Sequence, residues 1–115
     1  MIELADRTCE ACKADSPAVA ANERAELLTE LSGWTCVPSA GVDRLVASFD
    51  FDDFVGALAF VRSIAELAEA ENHHPRLVLE WGRVEASWWT HAIRGLHMND
   101  FIMAARTSAL YRARE

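Results

Sequence analysis

Positive charge is scarce in this chain. Lys and Arg number 11 against 18 Asp and Glu, for a formal net charge of −7, and no basic run longer than two appears. A protein that neutralises nucleic-acid phosphates needs the opposite balance, so direct nucleic-acid binding is excluded as an expectation, and an acidic membrane surface with it. Cysteine is equally sparse. Cys9, Cys12 and Cys36 make an odd count, poor material for a disulfide framework. No apolar run approaches a membrane span. The first residues, Met1 to Asp6, lack the basic and apolar stretches of a secretory leader. The expected compartment is the cytoplasm.

What is present suits one globular domain. The chain has 115 residues, 51% hydrophobic and 25% charged, enough to bury a sheet and a few helices with little to spare. Self-association would cover the remaining apolar surface. Residues 1–21 lack strong periodicity and read as an N-terminal arm or loose tail, leaving 22–115 as the domain.

The periodicities predict an alternating series of elements. Asn22 caps a first helix with Ala25, Leu28 and Leu31 on one stripe, stopped at Ser32-Gly33. Trp34 to Val37 and Arg44 to Phe51 read as two strands around a turn at 38–41. Asp52 or Asp53 caps the strongest helix, whose stripe is Phe54, Leu58, Val61, Ile64, Ala65 and Ala68. Pro75 biases His74 away from helical geometry, so that helix ends near Asn72. Leu77 to Trp81 and Val84 to Trp89 form a second hairpin across Gly82. Asn99 or Asp100 caps a last helix carrying Phe101, Ile102, Ala105 and Ala109. The order α-β-β-α-β-β-α predicts an α+β fold, a four-stranded antiparallel sheet with three helices packed on one face.

Seven residues stand out: Glu69, His73, His74, Pro75, Trp81, His91 and Asp100. Three of the four histidines lie at two junctions, one entering the third strand and one leaving the fourth. If those strands form an antiparallel hairpin, His91 returns beside His73 and His74. Imidazoles give and take protons near neutrality. Glu69, four residues before His73, is positioned to reach its ring from the helix. Asp100 could orient another ring or a ligand edge. Any one of these histidines alone would read as surface; their convergence on one rim points to a site.

The composite Glu69-x-x-x-His73-His74-Pro75, followed by Trp81, His91 and Asp100, resembles the signature of the pterin-4a-carbinolamine dehydratases. Gly33-Trp34 and the run from Phe49 to Phe60 resemble the same family, over residues 22 to 112. The resemblance implies a homodimer or dimer of dimers. It implies a pterin pocket lined by His73, His74 and His91, with Glu69, Pro75, Trp81 and Asp100 binding or orienting the substrate. The implied reaction dehydrates 4a-hydroxytetrahydropterin to quinonoid dihydropterin, recycling the cofactor of aromatic amino-acid hydroxylases. The pterin is the substrate, and no further cofactor is implied. His73 and His91 are the expected proton-transfer pair and His74 a positioning group. His73→Ala is expected to reduce turnover far more than stability.

Other readings compete. Cys9-x-x-Cys12 has zinc-ligand spacing but no visible second pair, so an arm with two reduced thiols is the blander account, and no metal site is expected. Trp34 and Trp81 read as core residues before they read as pterin-stacking groups. His97, Arg94 and Asn99 read as solvated surface. The family includes members that bind transcription regulators. A protein-interaction module acting as a coactivator, using Ala104, Ala105 and Ala109 for helix packing between subunits, is therefore the alternative function.

Overall fold

A computed structural model describes residues 3–10 and 16–114. After a short 3₁₀ turn, Leu4–Asp6, its elements are α1 (Ala21–Leu28), β1 (Thr35–Ser39), β2 (Val42–Asp50), α2 (Phe54–Glu71), β3 (Arg76–Glu80), β4 (Arg83–Trp88), a second 3₁₀ turn at His91–Ile93, and α3 (Met98–Ala113). The four strands form one antiparallel sheet in the order β1-β2-β4-β3. This is the α+β arrangement expected from the sequence. No helix among the described residues is long and apolar enough to cross a membrane.

Alternation along the two central strands defines the buried sheet face. Leu45, Ala47 and Phe49 on β2 lie opposite Trp88, Ala86 and Val84 on β4. All six are buried. Of their neighbours of opposite parity, Val46, Ser48 and Glu85 stay partly or fully open, while Ser87 is buried. The β1–β2 turn is tighter than expected. Only Ala40 and Gly41 form it, both with positive φ (53° and 80°), the backbone of the favoured two-residue hairpin turn. Pro38 therefore stays within β1. It is tolerated because β1 is an edge strand, where a missing N–H need break no ladder bond.

The three helices lie where expected, but α1 ends at Leu28, short of Ser32-Gly33, α3 starts at Met98 and is not capped by Asn99 or Asp100, and the buried stripes differ. Asn22 does not cap α1; Ala20 holds that position. The residues buried from this segment are Leu27 and Leu31, while Ala25 is exposed. Asp53 caps α2, with the Gly56 N–H donating to Asp53 Oδ1 at 2.7 Å. The buried line of α2 is Ala57, Phe60, Ile64 and Ala68. Phe54 and Leu58, expected inside, are 48% and 42% exposed. The helix is rotated because Phe60 enters an aromatic cluster, with ring centroids 5.0 Å from Phe49, 5.2 Å from Phe51 and 5.6 Å from Tyr111. Each such contact adds about 0.5–1.5 kcal/mol beyond burial, which outweighs hiding Leu58 instead.

α3 is covered on two sides. Phe101, Ile102, Met103 and Ala104 are four successive buried residues, a pattern no single-faced helix gives. One side meets the sheet, where Trp88 Nε1 donates to Thr107 Oγ1 (3.1 Å) and Trp34 Nε1 to Ser108 Oγ (2.8 Å). The other side meets the N-terminal arm. Leu4 is buried in the common core, as is Val19. Arg106 Nε donates to Ala5 O at 3.0 Å, and its Nη1 to Glu71 Oε2 at 2.8 Å, tying the arm to the end of α2. Asn99, expected on the surface, is buried: its carboxamide accepts from Glu10 N and donates to Glu10 O. Ala104 lies inside the chain's own core, so it is not available for packing between subunits as the interaction-module reading required. Trp34 packs in the core as expected. Of the CxxC pair only Cys9 is described; Cys12 lies outside the described residues.

Candidate active site

The end of α2 places the first two histidines. Glu71 is its last residue, and Asn72 adopts the left-handed conformation (φ 50°, ψ 43°). The His73 N–H then donates to Ala68 O and the Asn72 N–H to Glu69 O. This pair of bonds closes a helix through a left-handed residue, and Asn is among the few side chains that tolerate it. The reversal sends His73 inward. Pro75 keeps His74 extended, so the adjacent ring points outward. His73 is 8% exposed; His74 is open to solvent.

Each imidazole has its own carboxylate. His73 Nε2 lies 2.6 Å from Asp100 Oδ1. His74 Nε2 is bonded to Glu69 Oε2. The expected pairing is thereby corrected: Glu69 serves His74 and not His73, because the left-handed turn carries His73 away from the helix face on which Glu69 stands. The His73 ring also lies nearly parallel to Trp88, with 14° between planes and centroids 5.6 Å apart. Trp88 is buried and anchored to Thr107, so it forms a fixed floor beneath the imidazole.

Asp100 arrives from the start of α3, where His97 caps the helix. His97 Nδ1 accepts from Asn99 N at 3.0 Å, and Asp100 Oδ2 accepts from His97 N at 2.9 Å. This is a reciprocal cap in which histidine takes the place usually held by Ser, Thr, Asp or Asn. His97 is therefore a buried structural residue (4% exposed) and not the surface histidine expected. Thr90 Oγ1 donates to the same Oδ2 at 2.7 Å. Thr90, Asp100 and His73 thus form one water-excluded network that joins the end of β4 to the end of α2.

His91 follows Thr90 directly. It is exposed, with its ring 4.7 Å from that of Trp89. The Arg44 guanidinium lies 3.9 Å from the Trp89 ring centroid. Pro75 is half-buried between His74 and β3. Trp81 stands apart. It occupies the β3–β4 turn, 72% exposed, and the five residues of β3 separate it from Pro75, about 20 Å over six extended steps. The expectation of a core tryptophan there fails, because a two-residue turn has no layer above it to enter.

The structure therefore brings His73 and Asp100 together with Thr90, and His74 with Glu69. Thr90, Trp88 and His97 were not among the sequence candidates. Thr90 had one available signal, its place immediately before His91. A cleft of about 750 Å³ lies elsewhere, between the start of α2 and the end of α3, lined by Asp53, Phe60 and Arg114 among others. None of the sequence-selected site residues lines it, and the buried His73–Asp100–Thr90 network outweighs its size as a guide to chemistry. Among the described residues no group of three or more potential ligands is placed to hold a metal ion.

Burial changes one expectation for mutagenesis. Removing His73 would take one of three hydrogen-bond partners from the fully buried Asp100 carboxylate and leave Oδ1 unsatisfied, which costs about 1–3 kcal/mol. His73→Ala is thus a poor separator of catalysis from folding.

Comparison with known proteins finds relatives over nearly the whole chain. A family model described as pterin 4 alpha carbinolamine dehydratase matches residues 17–110. A relative from Saccharophagus degradans, named "Putative pterin-4-alpha-carbinolamine dehydratase", is 51% identical over 96% of this chain and 98% of its own length. A relative of the same name from Chlorobium luteolum is 52% identical over 96% of this chain and 97% of its own. Among solved structures, a transcriptional coactivator/pterin dehydratase from Brucella melitensis superposes with a TM-score of 0.75 at 30% identity, covering 83% of this chain and 99% of that one. The family match spans the whole sheet and all of α2, and with it both carboxylate–imidazole pairs, so the chain belongs to the pterin 4 alpha carbinolamine dehydratase family.

Proposed function

We propose that this protein dehydrates 4a-hydroxytetrahydropterin to quinonoid dihydropterin. The C4a–O bond breaks as a general acid protonates the leaving hydroxyl, and water departs. A base removes the N5 proton, and the N5 electron pair forms the new double bond to C4a. Hydroxide leaves poorly unless protonated, and each proton transfer by a placed side chain contributes about 10²–10⁴-fold. His73 and His91 are the proton-transfer pair, and His74, held by Glu69, positions the pterin. No electrons are exchanged with another molecule, so the scheme needs no cofactor besides the pterin substrate.

The observation that carries this reading is the His73–Asp100 pair, an imidazole held at 2.6 Å by a buried carboxylate and stacked on an immobile indole. A histidine kept only for solubility has no use for that support. The reading includes the wider role: cytoplasmic recycling of the pterin used by an aromatic amino-acid hydroxylase, by a chain that self-associates into a dimer or tetramer. The test is stopped-flow dehydration of a 4a-hydroxytetrahydropterin generated in situ, with and without the protein. His91→Ala and His74→Ala serve as variants because both side chains are exposed. Acceleration by the wild type and its loss in His91→Ala are expected. An unchanged rate on adding wild-type protein refutes the function.

The Brucella melitensis protein is also named a transcriptional coactivator. A binding role for this chain would survive replacement of His73, His74 and His91 together, whereas dehydration would not.

A further inference from the structure

We propose that Thr90 is a positioning residue which, with the backbone N–H of His97, fixes Asp100 as an acceptor, so that His73 carries its proton on Nε2 and offers Nδ1 to the substrate. The substrate half of this statement rests on the dehydratase reading; the proton placement does not.

The argument is one of donor counting. Thr90 and Asp100 are 1% and 0% exposed, so water is not available to complete their bonds. The Thr90 backbone is committed on both sides: its N–H donates to Gly95 O (2.8 Å) and its C=O accepts from Gly95 N (3.3 Å). Its hydroxyl is thereby held 2.7 Å from Asp100 Oδ2. The His97 N–H lies 2.9 Å from the same oxygen and can only donate. Oδ2 therefore accepts from two donors and carries no proton of its own. The other oxygen, Oδ1, faces His73 Nε2 at 2.6 Å. An ionised carboxylate accepts and does not donate, so the shared hydrogen belongs to Nε2. The neutral ring then has its lone pair on Nδ1, for which the described residues supply no hydrogen-bond partner.

Trp88 completes the restriction. Stacking within 14° of parallel fixes the plane of the His73 ring but not which nitrogen holds the proton. That choice falls to Asp100, and the setting of Asp100 to Thr90. The same threonine opens the 90–95 loop that carries His91, and its Gly95 pairing closes that loop. One residue thus sets the proton of His73 and the origin of His91.

The test is the imidazole ¹⁵N spectrum of substrate-free protein, recorded with the rings neutral, beside dehydration kinetics. In the wild type, His73 Nε2 is expected to read as the protonated nitrogen and Nδ1 as the bare one. Thr90→Val keeps the shape and removes the hydroxyl. It is expected to mix the two tautomers and lower kcat about tenfold or more, the scale at which orienting partners act, with KM changed by less than about twofold. Thr90→Ser is expected to restore both. A wild-type spectrum with the proton on Nδ1 overturns the proposal. So does a folded Thr90→Val protein whose tautomer and kcat match the wild type. If Thr90→Val does not fold, a Thr90→Ser protein with wild-type tautomer and rate supports the role of the hydroxyl, and a mixed tautomer with wild-type rate overturns it. A wild type that shows the expected nitrogens, is disturbed by Thr90→Val and yet dehydrates no pterin supports the positioning and refutes only the function.

Discussion

Replacing Asp100 by Ala tests whether the network at the base of α3 is as dry and as fully bonded as its geometry indicates. The carboxylate is completely buried and serves three groups: Thr90 Oγ1, His97 N and His73 Nε2. Alanine leaves all three without their acceptor. A stranded buried donor costs about 1–3 kcal/mol, and the threonine hydroxyl can partly relax by rotating. The total is therefore about 3–6 kcal/mol, cap included. A chain of this size has a stability of order 10 kcal/mol, so a third or more of it should vanish. Asp100→Asn is the informative companion. Its oxygen can still accept from Thr90 and His97, while its NH₂ faces His73 Nε2 and forces that nitrogen to become the acceptor. The expected cost is only about 1–2 kcal/mol, the difference between a charge-assisted and a neutral bond. If His73 works through Nδ1, activity nevertheless falls by about 10²-fold or more. Urea unfolding followed by far-UV circular dichroism, with unchanged m-values, measures both stabilities. An Asp100→Ala loss below about 1 kcal/mol would mean that water reaches these donors, and the dry-network argument would fail.

Three smaller perturbations probe the surroundings. Asn72→Val should destabilise by about 1–2 kcal/mol, since a β-branched residue resists the left-handed backbone that turns His73 inward, whereas Asn72→Gly should be near neutral; thermal melts compare them. His97→Ala should cost about 1 kcal/mol through loss of the α3 cap, and His97→Asn should recover most of it, again read from urea midpoints. Burial pushes the Cys36 thiol up from its ordinary 9.0, with Arg24 pulling it down and Asp43 pushing it up to lesser extents. Just below that value the folded chain should therefore alkylate at Cys36 more slowly than the urea-unfolded chain, by peptide mass spectrometry. Because the native state retains a proton that the unfolded state has lost, the Cys36 contribution to stability should decline as pH rises through 9.0.

Much of the fold was legible because its signals are local. Asp53 ahead of an apolar helix, Pro75 after two histidines and Gly41 in a short turn each constrain the backbone within a few residues. The buried stripes were less legible because they depend on partners far along the chain. The α2 sequence offers apolar residues on several faces: Phe54, Val55, Leu58, Phe60, Val61. The choice of Phe60 is made by Phe49, Phe51 and Tyr111, and Tyr111 is about fifty positions away. α3 carries buried residues in an unbroken row because the arm lies across it, and nothing in the arm's own periodicity announces that it will dock.

The site divides along the same line. Glu69, His73, His74 and Asp100 were identifiable as chemistry-bearing residues, but which carboxylate meets which ring was not. The deciding feature is Asn72, whose left-handed backbone is a property of one residue that reorients the next. Had the helix run one residue further, helical spacing would have given His73 to Glu69 on the surface. Ending it in a left-handed turn gives His73 to Asp100 inside and leaves Glu69 for His74 outside. Two adjacent imidazoles thus receive different environments, one nearly dry and the other open to solvent. Neighbouring histidines in equal surroundings would duplicate one function. A buried ring with its orientation fixed suits proton transfer, and an exposed ring on a solvated carboxylate suits the reception of a substrate, so the division of labour proposed for residues 73 and 74 rests on the conformation of residue 72.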